Sequence, residues 1–389
     1  MIRVFRPKNT RGHIPAFWIE NYSRTLHKGS IMPACNNGQL HRILIFIIIL
    51  VITAILLLVY VKQLNGWIYI PVESATKLPS LKITFSQNTE EENRTIVLIW
   101  MWPFKQVFSL NSCKSRFNIH GCHLTVDRNL YNKSHAIIVH HRDISKHLSN
   151  LPKQPRPPLQ KWVWMNMESP IHSPKMNGLG QQFNLTLTYL RGSDIQVPYG
   201  SLIMSPDSSD FKVPNKSKLV CWVVSHWNPK HRRVNYYKEL IKYIDVSVYG
   251  RAFGKYINKN DFTPFITSCK FYLSFENSIH KDYITEKLYN PLQTGTVPVV
   301  LGPSRENYEI FVPADSFIHV DDFTSAKELA GYLHHLDKDQ ELYMTYFKWR
   351  KYYRVQMADW ELRACAICEH VKRENNYRCA RNLEKWFWD

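Results

Sequence analysis

An uninterrupted apolar run near the N-terminus constrains this chain more than any other feature of its sequence. Residues 43–61 read ILIFIIILVITAILLLVYV and carry no charge. At about 1.5 Å of rise per residue, a helix of this length nearly crosses the ~30 Å hydrocarbon core of a bilayer. A cleaved signal peptide fits less well, because a long segment precedes the run and no small-x-small cleavage pattern follows it. We therefore predict one transmembrane helix over residues 43–61.

The charges on either side of the run predict its orientation. Residues 1–42 contain seven Lys and Arg and one acid, Glu20, whereas Lys62, Lys77 and Lys82 are the only basic residues close behind the run. Basic flanks stay on the cytosolic side of a membrane. We expect a cytosolic tail over residues 1–42, a stem over residues 62–94, and a lumenal or extracellular remainder.

A lumenal chain can carry N-linked glycans and disulfides. Candidate glycosylation sites in Asn-x-Ser/Thr sequons are Asn93, Asn132, Asn184 and Asn215, while Asn21 lies in the predicted cytosolic tail and should stay bare. Seven cysteines follow the apolar run, so they cannot all pair within one chain. One interpretation is three disulfides with one free or intermolecular thiol. The alternatives are a redox pair at Cys365 and Cys368 and a zinc site that includes Cys113 and Cys122. The zinc site is the least favoured, because the spacing of its cysteines fits zinc motifs poorly.

Short apolar, β-branched or aromatic runs alternate with helical patterns after the stem. The runs lie at residues 96–102, 136–139, 162–167, 219–224, 246–249, 271–275, 297–301 and 317–320, and the clearest helical patterns at 234–244 and 326–336. This alternation predicts an α/β fold with parallel strands. A polar, Pro-containing stretch over residues 205–218 predicts two domains with a boundary near residue 214.

Polar and ionisable groups follow several of these runs directly. Ligands of open parallel sheets bind beyond the carboxyl ends of the strands. Groups in these positions include Gln106, Arg142, Glu168, Ser225, His226 and Asn277. If two such sheet edges face each other, the sequence predicts a ligand-binding cleft between the domains.

Residues 271–302 read as a strand, a polar loop, a helix and a strand. Asp282 or Thr285 can cap the helix. The free N–H groups of a helix N-terminus, with Lys287 in the first turn, suit a phosphate, and Glu286 could accept hydrogen bonds from ribose hydroxyls. From spacing alone, Glu286 and Lys287 are better interpreted as ordinary exposed helix residues. Neither the dinucleotide nor the P-loop fingerprint occurs in the sequence.

The same segment resembles the signature of the α-1,3-fucosyltransferases, glycosyltransferase family 10. The matching residues are FENS at 275–278, DYITEKL at 282–288, Asn290, VPV at 297–299 and Gly302. The resemblance extends from about residue 95 to residue 388 and includes MNMESP at 165–170, DIQVPYG at 194–200 and NLEKWFW at 382–388.

This resemblance implies a GT-B enzyme, with two Rossmann-like domains facing across a cleft, anchored in the Golgi membrane as a single-pass type II protein. We expect an acceptor-binding domain over residues 95–213 and a GDP-fucose-binding domain over residues 214–352. A tail over residues 353–389 should return to the first domain. The implied reaction moves L-fucose from GDP-fucose, with inversion, to O3 of GlcNAc in Galβ1,4GlcNAc. Its products would be Lewis x-type structures on glycoproteins and glycolipids.

The resemblance also assigns residues by position. Glu168 matches the general base, Arg233 and Lys287 would neutralise the diphosphate, and Glu286 would hold the ribose. Other donor-contacting positions are Tyr199, Ser225, His226, Tyr272, Asn277 and Tyr283; acceptor-binding positions are Gln106, Arg142 and Glu168, with Arg142 favouring α1,3 over α1,4 transfer. The implied disulfides are Cys113 to Cys365, Cys122 to Cys368 and Cys221 to Cys269, with Cys379 unpaired.

We expect no cofactor and no catalytic metal, because cationic side chains can take over the charge-neutralising role. The string Asp337-Lys338-Asp339 resembles the metal-binding Asp-x-Asp of other transferases, but it ends a helical pattern and is expected to be solvated surface. The formal net charge of +18 points to an anionic partner. Nucleic acid is excluded by the predicted compartment and by the lack of a concentrated basic stripe.

Three residues depart from the family pattern. His226 stands where Asn is usual, and Leu190 and Gly192 stand where Arg and Asp are usual. Imidazole can still donate a hydrogen bond, so His226 predicts weaker or pH-sensitive donor binding. The departures also permit an alternative, a membrane-anchored glycan-binding protein without catalysis. A homodimer is a further candidate assembly.

Overall fold

A computed structural model of the chain describes Thr53 and residues 94–205, 211–374, 376–378, 380 and 382–389. The chain divides into two compact units, Met1–Ile83 and Thr84–Asp389, and the strands and helices given below belong to the second. The predicted tail, transmembrane helix and stem, with Asn93, lie outside the described residues apart from Thr53 and Arg94, and so does Cys379. Within the described ranges, every helix is too short or too polar to cross a bilayer.

Six parallel strands form the first sheet in the spatial order β2-β1-β3-β4-β5-β6. The strands are β1 (Thr95–Ile99), β2 (Cys122–Thr125), β3 (Ala136–His140), β4 (Lys161–Asn166), β5 (Leu185–Thr188) and β6 (Ile195–Gln196). Every residue of β3 and β4 is buried, as expected for central strands of a parallel sheet covered on both faces.

Five parallel strands form the second sheet in the order β12-β11-β10-β8-β9. A separate antiparallel pair joins β7 (Gly200–Met204) to β13 (Tyr353–Met357). The strands of the second sheet are β8 (Lys218–Val223), β9 (Val246–Tyr249), β10 (Cys269–Phe275), β11 (Val297–Leu301) and β12 (Ile318–His319). The prediction of an α/β fold with parallel sheets is therefore confirmed. We call the part built on the first sheet the front lobe and the part built on the second sheet the rear lobe.

Helices cover the faces of both sheets, and several begin at a side-chain N-cap. Thr285, Ser325, Asp339, Asp359 and Asn382 each accept a hydrogen bond from the first turn of the helix that they precede. The helices are α1 (Ser112–Phe117), α2 (Arg232–Leu240), α3 (Lys259–Thr267), α4 (Glu286–Thr294), α5 (Arg305–Glu309), α6 (Ala326–Lys338), α7 (Gln340–Thr345), α8 (Trp360–Arg373) and α9 (Leu383–Trp388).

The central strand β10 shows how alternation builds two cores in the rear lobe. Phe271, Leu273 and Phe275 face a core that includes apolar residues of α2 and α6. Tyr272 faces the opposite side, where it packs with Phe265 and Ile266 of α3. Because successive side chains of a strand point to opposite faces, one strand contributes to the packing of both helical layers.

The C-terminal segment packs on the front lobe rather than on the rear lobe that precedes it in sequence. Ala364, Ile367 and Val371 of α8 belong to the core beneath the first sheet, and Leu383 and Phe387 of α9 belong to the core on its other face. The three expected disulfides are present, and two of them attach α8 to α1 and β2. The bonded pairs are Cys113–Cys365, Cys122–Cys368 and Cys221–Cys269.

The three described sequons differ in exposure. Asn132 and Asn215 are exposed. Asn184 is buried, and its side-chain oxygen accepts a hydrogen bond of 2.7 Å from the Trp162 backbone N–H. A glycan on Asn184 would require this side chain to leave its present contacts, whereas the amides of Asn132 and Asn215 already face solvent.

Candidate active site

Glu168 lies two residues beyond the carboxyl end of β4, at the edge of the first sheet. The buried side chain of Asn166 shapes this turn, since its Oδ1 accepts the Glu168 backbone N–H at 3.1 Å and its Nδ2 donates to Ser173 Oγ at 2.8 Å. The Glu168 side chain is half-buried. A strand end and a fixed turn thus hold a partly exposed carboxylate where the sequence predicted a base.

Two contacts join this turn to the loop that follows β10 in the rear lobe. The Tyr283 hydroxyl lies 3.5 Å from Glu168 Oε2, and the Ser278 hydroxyl donates to Ser169 Oγ at 2.7 Å. The carboxyl ends of β4 and β10 therefore meet. The two sheet edges thus face each other, which is the condition on which the predicted cleft depended.

Tyrosine side chains pack around the same junction. The Tyr283 ring lies 5.1 Å from the ring of Tyr189 and 6.4 Å from that of Tyr199. The Tyr199 hydroxyl donates to the backbone carbonyl of Met167, next to Glu168. Burial, with the Glu286 carboxylate near Tyr199 adding to it, raises the pKa values of Tyr199 and Tyr283, so both phenols remain protonated donors near neutral pH.

The N-terminus of α4 carries the charged residues of the predicted donor site. Thr285 is the cap, and its Oγ1 also accepts from Lys287 Nζ at 2.8 Å. The Lys287 ammonium lies 3.0 Å from Glu286 Oε1 and 3.3 Å from Glu276 Oε2. Glu276 is buried and also accepts hydrogen bonds from the backbone and side chain of Thr285.

The charged groups of this cluster shift one another's pKa values. Burial raises the pKa of Glu276, although Lys287 opposes the shift. Burial also disfavours the Lys287 ammonium, but attraction to Glu276 and Glu286 outweighs it and raises the pKa of Lys287 above its usual value. Burial alone would raise the pKa of Glu286, yet Lys287 holds that pKa below its usual value. At neutral pH the cluster therefore retains a charged ammonium that is partly exposed at a helix N-terminus.

Arg233 lies in the first turn of α2 and is buried. Its guanidinium donates to the Phe275 backbone carbonyl at 3.2 Å and to the His226 carbonyl, while its buried Nε has no hydrogen-bond partner. Burial lowers the pKa of Arg233, an effect that Glu276 opposes. Arg233 thus connects the end of β10 with the loop that follows β8. A bound anion would have to compete with two backbone carbonyls for the N–H groups of the Arg233 guanidinium.

His226 belongs to a group of imidazoles that spans the two lobes. Its ring lies 5.4 Å from that of His231 and 6.4 Å from that of His172 in the front lobe. Burial, Arg233 and the neighbouring imidazoles lower the pKa of His231. His226 itself is exposed in the turn after β8.

The predicted acceptor residues lie in loops of the front lobe. Arg142 donates to the His172 carbonyl at 2.9 Å, and Gln106 Oε1 accepts from the Trp360 indole at 3.1 Å. Trp360 and Phe104 form an aromatic wall against the buried His140, with their rings 6.1 Å apart and 5.4 Å and 4.7 Å from that imidazole. Apolar ring faces beside polar side chains suit the binding of a sugar.

The remaining predicted donor residues are distributed around the end of the second sheet. Tyr272 is buried within β10, and its pKa is raised by burial, with smaller effects from Lys287 and Glu286 that indicate their proximity. Asn277 is partly exposed and accepts from Ser278 at 3.3 Å, and Ser225 is exposed in the turn after β8. The sequence interpretation gave no role to Glu276 or Trp360. The signal for Glu276 was its place within the family signature, directly after the apolar run at residues 271–275. Trp360 had no comparable signal.

The Asp-x-Asp string has structural partners. Asp337 forms an ion pair of 2.7 Å with Lys270, and Asp339 caps α7 by accepting from the Leu342 backbone N–H at 2.9 Å. Among the residues that the structure describes, no group of three or more His, Cys, Asp or Glu is arranged to hold a metal ion.

Two family models match this chain. "Fucosyltransferase, N-terminal" matches residues 92–200, and "Glycosyltransferase family 10 (fucosyltransferase) C-term" matches residues 213–386. The chain therefore belongs to glycosyltransferase family 10, the fucosyltransferases.

Two sequence relatives agree with this assignment. The chain is 58% identical over 359 residues to the 4-galactosyl-N-acetylglucosaminide 3-alpha-L-fucosyltransferase 9 of Bos taurus, which covers 92% of this chain and 100% of the relative. It is 45% identical over 311 residues to the 3-galactosyl-N-acetylglucosaminide 4-alpha-L-fucosyltransferase FUT3 of Bos taurus, covering 78% of this chain and 85% of that one. A crystal structure of an alpha1,3-fucosyltransferase with GDP has 16% sequence identity and a TM-score of 0.49, covering 77% of this chain and 95% of that one.

Proposed function

We propose that this chain is an inverting, metal-independent α1,3-fucosyltransferase of GT-B architecture. It moves L-fucose from GDP-fucose to O3 of GlcNAc in Galβ1,4GlcNAc, on the glycans of glycoproteins and glycolipids, and so makes Lewis x-type structures. The observation that carries the proposal is the 3.5 Å approach of Tyr283, in the family signature of the rear lobe, to Glu168 at the end of β4. It brings the candidate base and the candidate donor site to one point.

The chemistry follows from this arrangement. A Glu168 carboxylate oxygen takes the proton from the acceptor O3–H while O3 bonds to the anomeric carbon of fucose. The bond from that carbon to the diphosphate oxygen breaks on the opposite face, and its electron pair leaves with GDP. A single carboxylate is sufficient, because GDP leaves without a general acid when cations stabilise its diphosphate.

The rear-lobe residues divide the binding of the donor between them. Lys287, at the N-terminus of α4, faces the diphosphate together with the free N–H groups of the helix. Glu286, held ionised by Lys287, accepts hydrogen bonds from the ribose. Arg233 exchanges a carbonyl partner for a phosphate oxygen. Tyr199, Ser225, His226, Tyr272, Asn277 and Tyr283 complete the donor pocket.

Arg142, Gln106 and the wall of Trp360 and Phe104 bind the acceptor on the front-lobe side. The preference for O3 over O4 of GlcNAc is supported by the higher identity to the relative named as a 3-alpha-L-fucosyltransferase than to the one named as a 4-alpha-L-fucosyltransferase. We propose that the enzyme is a single-pass type II protein of the Golgi membrane. The apolar run at residues 43–61 and its basic N-terminal flank support the anchor and its orientation, and the family resemblance implies the Golgi.

The test is transfer of labelled fucose by the detergent-solubilised full chain to Galβ1,4GlcNAc and Galβ1,3GlcNAc. We expect transfer to the first acceptor and a loss of roughly 10²- to 10⁴-fold in kcat for Glu168→Gln, with affinity for GDP little changed. Binding of the acceptor without turnover by the unmodified chain would instead support the catalytically inactive glycan-binding protein. Full activity of Glu168→Gln would remove Glu168 from the mechanism.

A further inference from the structure

The residue before Tyr283 has an unusual backbone. Asp282 adopts a left-handed conformation with φ of 60° and is almost completely buried. Asp is among the few residues that tolerate this region, but it stays there only when its surroundings hold it. Here its backbone N–H donates to Asn307 Oδ1 at 2.7 Å, while Asn307 Nδ2 donates back to Asp282 Oδ1 at 2.8 Å.

The front lobe supplies the remaining partners of the same carboxylate. The Arg191 backbone N–H donates to Asp282 Oδ2 at 3.1 Å, and Arg191 Nε donates to Oδ1 at 3.1 Å. Both oxygens of a buried carboxylate are therefore bonded, one of them by residues of both lobes. Removing one partner from a buried charge of this kind leaves it uncompensated.

The loop that carries Arg191 also packs on Tyr283. Tyr189, two residues earlier, lies in edge-to-face contact with the Tyr283 ring at 5.1 Å. One front-lobe loop thus holds Asp282 by hydrogen bonds and Tyr283 by ring packing. The hydroxyl of the ring so held is the group that lies 3.5 Å from Glu168 Oε2.

Resting on the function proposed above, we propose that Arg191, Asp282 and Asn307 form a positioning network that holds the Tyr283 phenol against the base Glu168. In this arrangement Tyr283 donates to Oε2 of Glu168, and Oε1 is left to take the proton of the acceptor hydroxyl. Arg191 touches no substrate atom in this scheme. It acts through Asp282 and Tyr283. Because Arg191 belongs to the front lobe and Asp282 to the rear lobe, the relative position of the two lobes affects the orientation of Glu168.

A double-mutant cycle tests this coupling. Arg191→Gln removes the side-chain bond to Asp282 but keeps the backbone bond, and Tyr283→Phe removes the hydroxyl. We expect Arg191→Gln to lower kcat about tenfold with KM for GDP-fucose within about twofold, and we expect the double variant to be no slower than Tyr283→Phe alone, because residues that act as one unit are not additive. Arg191→Gln leaves the buried Asp282 carboxylate without its ion pair, so a lower melting temperature is expected in either case. Multiplicative effects of the two substitutions on kcat would show a merely structural role for Arg191 and would overturn the proposal.

Two further variants sharpen the cycle. Asp282→Asn keeps a residue that tolerates the left-handed backbone, but its amide NH2 replaces an oxygen that accepts from an N–H donor, so it should lose both kcat and stability. Arg373→Gln is the matched control, since Arg373 pairs with Glu369 on the exposed face of α8, and it should leave kcat unchanged. Wild-type kcat in Arg191→Gln would refute the network.

The failure of the proposed function has a different signature. If the unmodified chain transfers no fucose, the proposed function falls, and the same cycle is then measured as the free energy of unfolding in urea. Non-additive effects of Arg191→Gln and Tyr283→Phe on that free energy would still support the network, because residues of one contact network are coupled, and additive effects would overturn it.

Discussion

At Gly250 the chain leaves β9 with φ of 150°, in a region closed to residues with a side chain. A Cβ atom added there would lie 2.1 Å from the carbonyl oxygen of Val224. Val224 immediately precedes Ser225 and His226. The absence of one methyl group thus allows the ends of β8 and β9 to close together beside the proposed donor site.

We therefore predict that Gly250→Ala destabilises the protein by about 2 kcal/mol or more, because the added Cβ would clash with the backbone of Val224 and neither backbone segment can move without a large cost in free energy. Gly331, inside α6, is a matched control since an added Cβ meets nothing within 4 Å. Gly331→Ala should stabilise by about 0.5–1 kcal/mol through helix propensity. Thermal unfolding of both variants checks the pair, and equal effects would contradict the steric argument.

Lys287 is the residue whose charge the proposed mechanism needs most. Glu276 and Glu286 keep it protonated, so a full positive charge is available to the leaving diphosphate. We predict that Lys287→Gln lowers kcat/KM for GDP-fucose roughly 10²- to 10³-fold, whereas Lys327→Gln, on the exposed face of α6, has no effect. Circular dichroism and thermal unfolding would show whether the variant remains folded.

Chelation of divalent cations should leave the activity unchanged. If side-chain cations hold the diphosphate, fucose transfer in excess EDTA should equal transfer in its absence. Complete loss of activity on chelation, restored by a divalent cation, would refute the assignment of Lys287 and Arg233 to this role.

Among the elements, α9 shows how the C-terminal segment supports the cleft. Its residues Phe387 and Trp388 pack on Trp164 of β4, and the Trp388 ring also lies 5.7 Å from that of His141, directly after β3. The Trp388 indole donates to the Ser173 carbonyl at 2.7 Å. A short C-terminal helix thereby braces both strand ends from which Arg142 and Glu168 project.

This packing makes α9 sensitive to acid. Burial, with smaller contributions from His140 and Arg142, lowers the pKa of His141 to about 4. The unfolded chain binds this proton more readily than the folded chain does. The free energy of unfolding therefore keeps its full value above about pH 6.5 and falls by on the order of 3 kcal/mol as the pH drops from there to about 4. His141→Gln should flatten that part of the stability profile, measured by urea unfolding at several pH values, and an unchanged slope would contradict the prediction.

Sequence patterns predicted elements where a run was long and apolar. The runs at 136–139, 246–249, 271–275 and 297–301 all fall within strands of the structure. The predicted runs missed five strands, namely β2, β5, β6, β7 and β13. The segments CHLT, LTLT and IQ, for example, are short and mix polar with apolar residues. Their strand conformation comes from pairing with neighbours, which a local pattern does not contain.

At the scale of the whole molecule, the sequence predicted which residues end strands but not which of them touch. Glu168 and Tyr283 are 115 residues apart, and Arg191 and Asp282 are 91 apart. Only the arrangement of two sheets and the loop between them brings these pairs together. The resemblance to a family supplied roles for single residues, whereas the network around Asp282 became visible only from its hydrogen bonds.

The predicted topology of the whole chain can be read from its sequons, because glycans are added only on the lumenal side of the membrane. If residues 43–61 span the bilayer with the basic flank in the cytosol, Asn132 and Asn215, both exposed, are accessible to glycosylation and Asn21 is not. Expressed in microsomes, Asn132→Gln and Asn215→Gln should each remove one glycan from the full chain, seen as a step in electrophoretic mobility that endoglycosidase abolishes. Asn21→Gln should migrate like the unmodified chain, and protease added outside intact vesicles should shorten the chain only by its N-terminal tail. A mobility step for Asn21→Gln, or digestion of the folded unit in intact vesicles, would show the opposite orientation. Either result would contradict the proposal of an enzyme that acts in the Golgi lumen.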